Sequence, residues 1–192
     1  MNYRRAMTGS LVALAVTSCQ QPPQPPTPTL TLYEVMTGTI DPVADVIWTE
    51  SSKAYGDDGE ARAGILTDAE WSAITKAGRN LHDGARIMIA NPDIEVARPG
   101  VKILDEGKVP EAVTAAQVES YVDRDRPGLA DQAKQLSAIA LQIEAAAKAR
   151  DAARTVKLSE DLDEVCEACH QRFWYPDQKA LIDYKNSRTD PG

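Results

Sequence analysis

The stretch from Asp151 to Trp174 reads DAARTVKLSEDLDEVCEACHQRFW. Leu158, Leu162, Val165 and Cys169 recur at spacings of four, three and four, which places them on one helical face. Within it, Val165-Cys166-Glu167-Ala168-Cys169-His170 contains C-x-x-C-H, the attachment signature of c-type haem. Each thiol adds across one vinyl group, and the imidazole that follows becomes an axial ligand of the iron. Residues three and four apart are neighbours on a helix, so both thiols meet one porphyrin edge with the imidazole beside them. The sequence therefore predicts one covalent haem c, bound by Cys166 and Cys169, with His170 as proximal iron ligand.

Other uses of the motif fit less well. A thioredoxin-like C-x-x-C needs a βαβ setting, and the surrounding sequence is helical. A structural zinc site needs four ligands, and His82 is the only other histidine.

Working outward, strand signals are absent and four helical stretches emerge. The first runs from Leu30 to about Lys53, with Leu32, Met36, Ile40, Val43 and Ile47 as its apolar stripe. Asp41-Pro42 reads as an N-cap followed by proline at the first helical position, predicting a kink or two abutting helices. The second opens at the capping box Thr67-Asp68-Ala69-Glu70, carries Trp71, Ile74, Leu81 and Ile89, and ends at Asn91-Pro92. The third begins near Thr114, is interrupted at Pro127-Gly128 and continues through Leu129, Leu136, Ile139 and Ile143. The fourth starts near Asp151 and is stopped by Pro176. The expected fold is all-α: an antiparallel four-helix bundle over residues 30–184, with haem attached to the C-terminal helix.

These features resemble the cytochrome c′ superfamily, whose C-x-x-C-H lies on the fourth helix near the C-terminus. The resemblance spans roughly Leu30–Pro176 and is strongest from Cys166 to His170 with Phe173-Trp174. Asp41-Pro42 with Trp48, Glu70-Trp71 and Trp174-Tyr175-Pro176 look like a poorly characterised secreted branch.

In that superfamily the first helix supplies the residue facing the iron opposite the histidine. An apolar residue there implies five-coordinate iron that binds nitric oxide or carbon monoxide. A methionine implies six-coordinate, low-spin iron suited to electron transfer. Met36 lies in the corresponding stretch, while a register shift would substitute Leu32, Tyr33 or Val35. Gas-binding members often carry Arg four residues before the distal position, which here is Leu32. The resemblance thus implies an electron carrier with Met36 as sixth ligand, and gas binding is the alternative. Met36 also suits plain core filling. His82 offers bis-His ligation, although a lone histidine on a bundle helix is more often structural, and Met88 reads as core. Phe173 and Trp174 share the helical face of His170 and are candidates for haem packing. Trp48 and Trp71 read as core anchors. Arg79, Arg86 and Arg172 are candidate propionate partners. No paired-carboxylate, Ser-His or phosphate-loop motif is present, so an enzyme is not indicated.

Residues 1–18 read as a lipoprotein signal peptide: Arg4 and Arg5, then the short apolar run Leu11–Val16, then Val16-Thr17-Ser18-Cys19, which resembles a lipobox. Cys19 would become the lipidated N-terminus, so no disulfide is expected. Residues 19–29 form a Pro-rich extended spacer, and residues 185–192 a disordered tail. The expected location is the periplasm, anchored by lipid to a bacterial membrane. Without Arg4 and Arg5 the chain keeps 19 basic against 29 acidic side chains, a net charge of −10. Such a surface disfavours nucleic acid and suits a basic redox protein partner. A homodimer through the first helices is the remaining partner expectation.

Overall fold

The computed structural model describes residues 30–104, 106–108 and 112–176. Its regular elements are helical: α1 (Leu32–Val35), a π-helical turn (Met36–Ile40), α2 (Asp41–Ser52), α3 (Asp68–Ala90), α4 (Ala115–Arg124), α5 (Arg126–Lys148) and α6 (Ala152–Phe173). The described residues contain no strand, and none of their helices is long and apolar enough to cross a membrane. The signal segment, Cys19, the Pro-rich spacer and the expected tail lie outside the described residues.

Local chemistry explains most helix ends. Thr31, Thr67 and Thr114 each accept from the backbone N–H three residues on, and the Glu34, Glu70 and Gln117 side chains reply to the cap N–H. Asp151 caps α6 in the same way through Arg154 N–H at 3.1 Å. The third helical region breaks at Asp125 rather than at Pro127-Gly128. The Asp125 carboxylate accepts from Gly128 N–H, and Pro127 sits in the first turn of α5, where its missing N–H is harmless.

Two helical segments abut at Asp41, as expected, but the junction differs from the one expected. Asp41 is already helical, with φ −58°, so it is not the N-cap, and the π turn runs directly into α2. Its N–H donates instead to the Met36 carbonyl five residues back, which closes the π turn. Proline at position 42 has no N–H to complete an ordinary turn, and the widened turn absorbs that gap without breaking the helix. The buried stripe is Leu32, Val35, Ile40, Ala44, Ile47 and Ser51, while Met36 and Val43 are only half-buried. The step of five from Val35 to Ile40 stays in phase because the π turn spans it.

In the core, α3 packs on α2 and α5, and α6 packs on α5 and α2. Trp48 Nε1–H donates to the Ser159 carbonyl at 3.0 Å, and Ser51 Oγ to Ser159 Oγ at 2.9 Å, pinning α2 to α6. Trp71 is buried, and its Nε1–H donates to the Ala63 carbonyl at 3.3 Å. The connection after α3 straps the start of the first helix. Leu32 and Tyr33 N–H donate to the Glu95 and Val96 carbonyls at 2.8 and 2.9 Å, and Arg98 grips Glu34.

Candidate haem-binding site

Near its C-terminal end, α6 turns Cys166, Cys169 and His170 toward the π turn and the end of α3. All three are half-buried, and both cysteines are free thiols. Cys169 and His170 border a cavity of about 190 Å³ whose walls include Leu32, Tyr33, Met36, Asp41, Met88, Val118, Leu129, Phe173, Trp174 and Tyr175. A narrower lobe of about 30 Å³ is lined by Met36, Ile40, Met88, Gln132, Leu136, Val165, Cys166, Cys169 and His170. Met36 and His170, 134 positions apart in the chain, therefore face common space. Phe173 is buried and Trp174 half-buried, and both line the larger lobe. Leu104, exposed to 59 %, stands at its edge.

The electrostatics suit stored thiols rather than reactive ones. Burial pushes the Cys166 thiol up to about 12, helped by Cys169 and by the charges of Asp163 and Asp41. Burial likewise pushes Cys169 up to about 11. Catalytic C-x-x-C pairs need the opposite shift, toward the thiolate. Desolvation raises the Asp41 carboxyl, with His170 opposing and Asp45 adding to the rise. The Tyr175 hydroxyl donates to Glu167, one helical turn before His170, and the Tyr175 ring stands 6.2 Å from the His170 ring.

Other sequence candidates lie elsewhere. His82 on α3 is half-buried, with Nδ1 2.8 Å from Ser137 Oγ, and it does not line the cavity. Arg79 is engaged by Glu144 at 3.1 Å, and Arg172 by Asp125, with its guanidinium 5.4 Å over the Phe173 ring. Arg86 is exposed on α3. Trp48 and Trp71 do not touch the cavity. Among the described residues, no group of three or more His, Cys, Asp or Glu is placed to hold a bare metal ion.

One lining residue bears out its reading as core, and another was not singled out. Met88, 5 % exposed, is buried in the core and also reaches both lobes. Gln132 borders the narrow lobe, and its Oε1 is buried without a hydrogen-bond partner. Met88 was legible as an inward helical position, but helical spacing does not distinguish a core position from a cavity wall. Gln132 carried no sequence signal, because an unpaired buried oxygen exists only once helices are packed. Comparison with family models, with curated proteins and with solved structures finds no match to this chain.

Proposed function

We propose that this chain is a mono-haem c-type cytochrome that carries electrons. One haem c would be bound through Cys166 and Cys169, with His170 and Met36 as the residues that would ligate its iron. In this reading α2, α3, α5 and α6 form an antiparallel four-helix bundle of the cytochrome c′ kind, with the cofactor on its last helix. The observation that carries the proposal is the meeting of Met36 with Cys169 and His170 around one largely apolar cavity.

The residues present fit such a group. The donor set combines two thiols three residues apart, an adjoining imidazole and a thioether from another helix. When bound, haem supplies a one-electron iron couple whose potential depends on its axial ligands and surroundings. Cys166 and Cys169 would tether the group to α6, and His170 would contribute a ring nitrogen. A soft Met36 sulfur on the iron would favour the ferrous state and so raise the potential. Leu32, Val118, Leu129 and Phe173 exclude water, which limits solvent rearrangement on electron arrival.

Export and lipid anchoring at Cys19 belong to the same proposal. So does a basic redox partner, suited to the net charge of −10 that residues 19–192 carry without Arg4 and Arg5. The test is a haem stain on a denaturing gel, followed by a visible spectrum of the oxidised protein. A retained stain and a low-spin spectrum with a weak sulfur-to-iron band at the red end are expected. Loss of the stain refutes haem attachment. A high-spin spectrum with avid carbon monoxide uptake after reduction replaces the carrier with a gas-binding module.

A further inference from the structure

The chain has four methionines: Met1 and Met7 in the leader, and Met36 and Met88. Both of the latter line both lobes of the cavity beside His170. They arrive from different walls. Met36 opens the π turn, whereas Met88 lies in the last turn of α3, which packs on the same two helices as α6. Neighbouring apolar positions such as Leu129 and Leu136 fill space with side chains that cannot ligate a metal. An unbranched thioether with three rotatable bonds can re-aim its sulfur without moving the backbone. Met36 is half-buried on a widened turn, while Met88 is 5 % exposed within a regular helix, so Met88 is held the more firmly in place.

We propose that Met88 is a reserve axial ligand, whose Sγ takes the sixth iron position when Met36 leaves it. The inference rests on the haem reading of the cavity. It goes beyond that reading by giving one iron two exchangeable sulfur donors from two helices. The pair makes full opening of the distal side a rare state, which biases the centre against exogenous diatomic ligands.

Full-length, haem-loaded wild type, Met36→Leu, Met88→Leu and the double variant separate the outcomes. Oxidised spectra, carbon monoxide uptake by the reduced forms and NMR of methionine methyl groups labelled with carbon-13 are the readouts. Met36→Leu is expected to keep the red sulfur-to-iron band, with the shifted ligand methyl now that of Met88. Met88→Leu is expected to keep the band through Met36, and only the double variant to lose the band and take up carbon monoxide freely. The inference is overturned if Met36→Leu is already high-spin and binds carbon monoxide as the double variant does. It is overturned equally if Met88→Leu alone loses the band, which makes Met88 the primary ligand. Met36→Leu leaves the buried Met88 untouched, so poor folding of Met88→Leu does not block the decision. A wild type lacking covalent haem or the band refutes the underlying site reading instead.

Discussion

Replacing Gly78 by alanine tests the contact between α3 and α5, the two longest helices described. A Cβ built at Gly78 would stand 2.9 Å from Glu144 N, 3.0 Å from the Ala140 carbonyl oxygen and 3.2 Å from Glu144 Cα. All three are backbone atoms, so no side chain can rotate away, and the helices must separate by several tenths of an ångström. Overpacking of this kind costs about 1–3 kcal/mol, and rigid backbone neighbours put it near the upper end. Alanine returns about 1 kcal/mol through helix propensity. The net loss is about 2 kcal/mol, or roughly 4–8 °C in Tm for a domain of this size. Gly38→Ala is the control, because a Cβ there meets nothing within 4 Å. Thermal and denaturant unfolding of both variants, followed by far-ultraviolet circular dichroism, gives the comparison. Equal midpoints for the two would refute the close approach of α3 to α5.

Three further predictions follow from named contacts. Trp48→Phe removes the Nε1–H donation to the Ser159 carbonyl and should lower stability by about 0.5–1.5 kcal/mol, seen as an earlier urea midpoint. Lys148, with Arg79 opposite, holds the Glu144 carboxyl below its ordinary value; a depressed folded pKa contributes stability above the unfolded value that is lost as pH falls below it. Glu144→Gln should therefore flatten the acid limb of the stability–pH curve while lowering stability at neutral pH, and an unchanged acid limb would count against the pairing. Cys166→Ser should leave haem held by one thioether through Cys169, detected by mass spectrometry and a shifted pyridine haemochrome band, and an unaltered two-thioether spectrum would contradict the assignment.

The parts legible from sequence are those fixed by neighbours along the chain. The capping box at Thr67 and the helix starts near Thr114 and Asp151 need only residues within one turn, and they stand where the sequence puts them. Asp41-Pro42 marks the junction of two abutting segments, as read, but Asp41 is no cap, because the turn before it stays helical and leaves it without the extended backbone a cap needs. The interruption assigned to Pro127-Gly128 falls at Asp125 because proline is tolerated inside a first turn. Cys166, Cys169 and His170 were conspicuous through the rarity of their side chains. Gln132 was hidden, and Met88's place on the cavity wall could not be told from its core position, because both depend on which other helix they meet.

The π turn has a consequence for insertions and deletions. Removing one residue from Met36–Ile40, Gly38 for example, would let the segment close as an ordinary α-helix with no break. The step from Val35 to Ile40 would become four, the spacing of an ordinary helical face, so Leu32 and Val35 would keep their place beside Ile40, Ala44 and Ile47. The same deletion inside α2 would instead turn everything before it by about 100°. The five-residue turn is thus the one place along this helix where the chain carries a residue more than its inward stripe needs. Length can change there by one without expelling the core.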